Sequence, residues 1–180
     1  MELRTPYLSL LALTLSQLEL LLADPAALEA DLGLPLASSV IDANVIRALG
    51  LKITKMRALP LEKHPWQTYW LIVLHPDGTT AAPGRIGAGL IGFKGYPNAD
   101  GETEIGYGIA PEYQGQGHMT TAVRALCDWA FGHPFVSAVT ATTVTNPASN
   151  RVLEKVGAEI VGQDEKSTNW KIQRGVRRQG

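Results

Sequence analysis

The feature that most restricts the fold lies at Pro111, where the pattern of the chain changes character. Before it, three β-rich runs follow one another: Tyr69 to Leu74, Ile86 to Phe93 and Thr103 to Ile109. Pro76-Asp77-Gly78 supplies turn chemistry between the first two, a hairpin with a long loop, and the Gly/Pro/Asn/Asp stretch from Gly95 to Gly101 leads into the third, so an antiparallel meander is expected. After Pro111 the spacing predicts a helix (Gln116 to Phe131), a strand (Val136 to Val144), a helix (Pro147 to Val156) and two short strands, Glu159 to Gly162 and Asn169 to Gln173. A meander followed by alternation implies an α/β (α+β) fold whose central sheet is mixed, mostly antiparallel and flanked by helices.

The N-terminal region is read as a strand, Leu8 to Leu13, then a helix opened by Thr14 and Gln17 at capping-box spacing and running to Ala23. Pro25 opens a second short helix through Leu32, which Gly33 and Pro35 end. Ile41, Val45, Leu49, Ile53 and Met56 recur mostly at four-residue steps, an amphipathic helix that stops near Pro60. The apolar run from Tyr7 to Ala23 is broken by Ser9, Thr14, Ser16, Gln17 and Glu19 well short of membrane-spanning length, so it is read as strand and helix and not as an anchor. With 180 residues, 45% of them hydrophobic, and no repeat or long linker, one domain spanning 1–180 is expected.

The net charge of -1, with no long basic or acidic run, gives no reason to expect nucleic acid or a membrane as partner. Cys127 is the single cysteine, so no internal disulfide forms, and His64, His75, His118 and His133 lack ligand-like spacing, so no metal is expected. This usage fits a reducing, cytoplasmic location.

Tyr113-Gln114-Gly115-Gln116-Gly117-His118-Met119 lies between a strand and a helix whose apolar stripe is Met119, Ala122, Val123, Leu126, Cys127 and Ala130. Glycines there let backbone N–H groups turn toward one point, and the amides and dipole of a helix start make that point attractive to phosphate; a simple turn is the other reading. A Walker loop would need Gly-Lys-Ser/Thr, which is absent, and a Rossmann loop would follow the first strand of a parallel unit.

Gln114 to Met119 resembles the pyrophosphate signature of the GNAT family of N-acetyltransferases, Gln/Arg-x-x-Gly-x-Gly/Ala, with Met119 in place of the small last residue. Glu104-Ile105-Gly106-Tyr107-Gly108-Ile109-Ala110-Pro111 resembles the family's fourth strand, and Asn146 to Gly157 its later helix. The likeness covers roughly residues 69–173 and is greatest to the branch that includes the ribosomal-protein N-terminal acetyltransferases. It implies a GNAT-like acyl-CoA N-acyltransferase fold, acetyl-CoA as cosubstrate, and transfer of its acetyl group to a primary amine. It also implies that Ile109, Gln114, Gly115, Gln116, Gly117, His118 and Met119 hold the coenzyme, with the side chains of Asn146 and Asn150, while Ser149 approaches its sulfur.

The residues themselves keep other readings open. Glu104, Gly106 and Gly108 share one face of an extended strand, a carboxylate beside two vacancies, which suggests either a bulge or room for a ligand. Glu104 is read as a general base for the amine or as a solvated strand carboxylate. Asn146-Pro147 is also a good helix start in its own right. The tyrosine that many relatives use as an acid corresponds here to Leu153, and the usual Gly-Phe after this helix is Gly157-Ala158. Cys127 is assigned to packing, Trp66, Tyr69 and Trp70 to the sheet or an acceptor pocket, and Arg174, Arg177 and Arg178 to a solvated tail.

The reading is therefore an N-acetyltransferase acting on a small molecule or protein N-terminus. Its rivals are an acyl-CoA-binding sensor or scaffold of the same fold and a nucleotide-phosphate binder. An exposed apolar face on the N-terminal helices would invite a homodimer.

Overall fold

The computed structural model describes residues 1–75 and 84–175. The elements are β1 (Glu2–Arg4), β2 (Leu8–Ala12), α1 (Leu15–Ala23), α2 (Pro25–Leu32), α3 (Ala43–Arg57), α4 (His64–Gln67), β3 (Trp70–Leu74), β4 (Ile86–Phe93) and β5 (Glu102–Ile109), then α5 (His118–Phe131), β6 (Ala138–Val144), α6 (Pro147–Val156), β7 (Glu159–Gln163) and β8 (Ser167–Gln173). The eight strands form one sheet in the order β1-β2-β3-β4-β5-β6-β8-β7.

From β1 to β5 every neighbouring pair is antiparallel, as the meander predicts. The turn assigned to Pro76-Asp77-Gly78 lies outside the described residues. The β4–β5 turn is built by Asn98, whose Oδ1 accepts from the amides of Asp100 and Glu102. Such a loop is what a short polar residue favours. The mixed character enters at one place: β5 and β6 are parallel, joined through α5.

Helices cover both faces. On one, α5 presents Ala122, Val123, Leu126, Cys127 and Ala130 to Ile72, Ile91, Phe93, Ile105 and Val139. On the other, α1 to α3 pack Leu18, Leu21, Leu28, Leu49, Ile53 and Met56 against Leu71, Val73 and Leu90. Cys127 is buried and its thiol is pushed well above the ordinary range by desolvation, which agrees with a packing role.

The capping box at α1 is present in both directions, Gln17 N to Thr14 Oγ1 at 3.2 Å and Thr14 N to Gln17 Oε1 at 3.0 Å. Gly33 ends α2 in the left-handed conformation, φ 59°. Strand β1 was not anticipated; three residues are too few to show a period. Among the described residues no helix is long and apolar enough to cross a membrane.

Candidate functional site

The site begins with an incomplete strand pair. β5 bonds to β6 only through Glu102, Thr103 and Glu104, opposite Ala138, Val139 and Thr140. From Ile105 to Ile109 it pairs with β4 alone, so β5 and β6 part and a notch opens between them. The register of β4 and β5 is continuous across Gly106 and Gly108, which excludes a bulge there. A Cβ added to either glycine would meet no atom within 4 Å. The two vacancies are open space, the second of the readings that the sequence allows.

The notch continues into a cleft of about 660 Å³, walled by the end of β5, the loop before α5, the start of α5 and one face of α6. Gly115 and Gly117 hold φ values of 75° and 83°, a region that a side chain disfavours. Gly117 is the N-cap of α5 and no side chain caps it. The first-turn amides of a helix have no partner inside the helix, so here the amides of His118, Met119 and Thr120 stay available. The opposite wall differs: Asn146 caps α6, its Oδ1 accepting from Ser149 N at 3.1 Å.

Of the residues singled out in the sequence, Ile109, Gln114, Gly115, Gly117, His118, Met119, Asn146 and Ser149 all line this cleft. Glu104, Gln116 and Asn150 do not. Gln116 donates to the Glu112 carbonyl and lies beside a second, smaller hollow with Tyr113 and His118. Asn150 Oδ1 accepts from Thr143 Oγ1 at 2.7 Å, which ties α6 to β6. Glu104 stands at the last paired position of β5, where the notch begins, and Lys94 Nζ reaches its Oε1 at 2.5 Å. Met119 is 8% exposed and belongs to the core packed under α5, while it also lines the cleft.

Other lining residues were not foreseen. Tyr107 donates from its hydroxyl to the Ser149 carbonyl at 3.3 Å, joining β5 to α6 across the cleft. Burial pushes its phenol up to about 12, so it stays a donor at neutral pH. Its place on the core side of β5 was legible, but the approach of α6 was not. Arg151 and Lys155 also line the cleft, at a four-residue step on α6 that the sequence shows plainly and that reads as a solvated face. Among the described residues no Asp or Glu lines the cleft. Desolvation holds His118 below the ordinary imidazole value, so in the absence of an anion it is neutral near pH 7.

The model of the family described as Acetyltransferase (GNAT) domain matches residues 18–159. The chain belongs to the GNAT acetyltransferases. A GNAT chain with this sheet has relatives among curated proteins and solved structures. It is 30% identical over 83 residues to an uncharacterized N-acetyltransferase, YjdG, of Bacillus subtilis (strain 168), a match spanning 46% of this chain and 49% of that protein. The chain thus spans about half the length of that curated relative. The fold is similar to the ribosomal-protein-S5-alanine acetyltransferase from Vibrio fischeri, with TM-score 0.66 and 16% identity over 99% of this chain and 100% of that one. It is also similar to RimL, a ribosomal L7/L12 alpha-N-protein acetyltransferase in complex with coenzyme A, with TM-score 0.64 and 17% identity over 96% and 98% of the two chains.

The GNAT placement accords with the strand, loop and helix blocks from which the resemblance was drawn, and extends it N-terminally to residue 18. In this chain Leu153 is fully buried, so the position where many relatives carry a tyrosine contributes packing. Among the described residues no three His, Cys, Asp or Glu side chains converge as a metal site would need. Arg174 is turned away from the cleft, donating from Nε to the Val136 carbonyl, and Arg177 and Arg178 lie outside the described residues.

Proposed function

We propose that the chain transfers the acetyl group of acetyl-CoA to a primary amine by direct attack on the thioester. The observation that carries this is the uncapped start of α5 opening onto a cleft that is lined, among the described residues, by cations and no carboxylate, and that ends where β5 parts from β6. The pyrophosphate accepts from the amides that Gly115 and Gly117 expose, next to Gln114, His118 and Met119. Gln116 shapes the loop from its outer side, through its bond to Glu112. The pantetheine arm lies in the notch beside Gly108 and Ile109, with the Asn146 amide group toward it, and Asn150 supports α6 from below. The family membership and the coenzyme A complex of the RimL neighbour agree with this reading.

At the reacting end, an alkyl ammonium with pKa near ~10 must lose its proton before it attacks. Glu104 accepts it, directly or through water, through Oε2, since Lys94 occupies Oε1. Ser149 stabilises or protonates the departing thiolate, with Tyr107 bonded to its carbonyl. Positioning and backbone donors supply most of the rate. The acceptor is an amine of a small molecule or a protein N-terminus; two ribosomal-protein acetyltransferases among the fold neighbours favour the second.

Two observations favour the rival, a weak acyl-CoA sensor of the same fold: Leu153 is buried where relatives have an acid, and Glu104 is held by Lys94. Thioester consumption with a panel of amines separates them. Binding of acetyl-CoA but not ATP, followed by turnover that falls about 100-fold in Glu104→Gln at neutral pH, is the expected result. Unchanged turnover in that variant removes Glu104 from the chemistry, and binding without turnover across the panel establishes the sensor.

A further inference from the structure

Strand β5 carries Glu102 and Glu104 on one face, and a lysine from elsewhere in the sheet meets each of them. Lys171 Nζ reaches Glu102 Oε1 at 2.6 Å, two residues before the notch opens, and both side chains are largely covered. Lys94 Nζ reaches Glu104 Oε1 at 2.5 Å, at the last residue of β5 that pairs with β6, and its side chain is 61% exposed. The second pair therefore sets an accessible primary amine against the carboxylate at the mouth of the notch. Lys52 is unlike it, because its ammonium is buried among the Gln67, Thr68 and Phe93 carbonyls.

The backbone around Lys94 is fixed. Its N–H donates to the Glu104 carbonyl at 2.8 Å, and the Phe93 carbonyl just before it accepts from Lys52 Nζ at 2.7 Å. Residues facing each other across antiparallel strands have Cβ atoms about 5 Å apart, so the lysine meets Glu104 with no movement of the sheet. Beyond Glu104 the same face of β5 carries only Gly106 and Gly108, where an added Cβ meets no atom within 4 Å, and Gly108 lines the cleft. No side chain of β5 on this face separates the amine from the space where the strands part.

We propose that Lys94 is a self-acetylation site: with acetyl-CoA in the notch, the protein transfers the acetyl group to its own Lys94 Nζ. The inference rests on the acetyl-CoA reading above, with Glu104 at the reacting end. The ammonium gives one proton to Glu104 Oε1, and Nζ adds to the carbonyl carbon of the thioester. The C–S bond breaks and its electron pair leaves with the sulfur, which takes a second proton from the nitrogen, while Glu104 passes the first to water. The products are an amide on Lys94 and coenzyme A with a free thiol. A nucleophile held beside the reacting carbon in the same complex has an advantage over any amine that must arrive from solution. The amide is neutral, so the ion pair ends with the reaction and Glu104 is released from it.

The test is incubation of the intact protein with acetyl-CoA and no added amine, followed by peptide mass spectrometry, beside a calorimetric titration with acetyl-CoA. Lys94 gains an acetyl group at least about tenfold faster than Lys55 and Lys166, two exposed lysines that record uncatalysed acylation. The rate saturates with acetyl-CoA and falls when coenzyme A competes, and the first-order rate constant is independent of protein concentration. Lys94→Arg, which keeps a cation beside Glu104, binds acetyl-CoA as before and takes up acetyl groups only at the background rate. Bound acetyl-CoA with Lys94 labelled no faster than Lys55, or a rate constant that grows with protein concentration, overturns self-acetylation and leaves the coenzyme reading standing. No binding of acetyl-CoA overturns both.

Discussion

Two groups of N–H donors lie on opposite faces of the sheet, and the chain treats them differently. On the α3 face, Lys52 is 8% exposed, yet its ammonium donates to the Gln67 carbonyl at 2.8 Å and the Phe93 carbonyl at 2.7 Å and sits 4.7 Å from the centre of the Tyr69 ring. On the α5 face, the first-turn amides after Gly117 have no side-chain cap. The first arrangement is closed and locks α3 to the ends of α4 and β4. The second is open, and an open set of donors at the mouth of a cleft gains its partners from a ligand. Satisfied buried charge marks scaffold here, and unsatisfied exposed donors mark the site.

The strongest way to break that contrast is to close the open end. Gly117→Asp places a carboxylate where a side chain meets no atom within 4 Å, at the N-cap of α5. The carboxylate competes for the amides and repels the pyrophosphate, and losing two charge-assisted hydrogen bonds weakens acetyl-CoA by more than about 100-fold. The left-handed backbone at this position costs about 1 kcal/mol, set against the favourable charge at a helix start, so the melting temperature moves little. Titration calorimetry beside a melting curve reads both. Retained affinity in a folded variant shows that the open donors serve no anion.

The next prediction opens the closed end. Burial, helped by the nearby charges of Lys55 and Lys94, pushes the Lys52 ammonium down to about 7, against an ordinary lysine near 10.5. The unfolded chain therefore binds the proton more readily between these values, and stability rises with pH from about 7 toward 10, by at most about 1.4 kcal/mol per unit. Below about 7 the whole cost of the buried charge is present. Lys52→Met removes this slope, while leaving the Gln67 and Phe93 carbonyls without their donor. Denaturant unfolding of both proteins at several pH values measures it; parallel curves would mean that the two carbonyls hold the ammonium as well as water does.

The contrast was half visible in the sequence. The glycine loop, Asn146-Pro147 and the limits of β4 and α6 could be read because each depends on local chemistry: turn propensity, capping, alternation. Lys52 could not. It interrupts an apolar stripe of Leu49, Ile53 and Met56, and the carbonyls that make its burial tolerable come from residues 15 and 41 positions away. The same distance in sequence hid the bond from Tyr107 to Ser149. It also hid the ion pair of Glu104 with Lys94, since the turn that brings them together fixes register only in the folded sheet. Arg151 and Lys155 were visible as residues, but their place in the cleft wall was not, because a basic pair on a helix says nothing about which wall it faces.

Asn146 stands between the two extremes, and its effect is the smallest. Its Oδ1 caps α6 through Ser149 N, so that part of the side chain is engaged as Lys52 is, while the residue also lines the cleft, as the start of α5 does. Asn146→Ala loses the cap and costs about 1 kcal/mol of stability. Asn146→Asp keeps an oxygen for the Ser149 amide and adds a negative charge at a helix start, so stability is held, but the amide donor is gone. If the cap is the whole of its role, acetyl-CoA affinity follows stability, and the aspartate variant binds as the unaltered protein does. If the amide also meets the pantetheine arm, the aspartate variant is stable and binds several-fold more weakly. The pair of melting curves and titrations thus decides on which side of the contrast this residue falls.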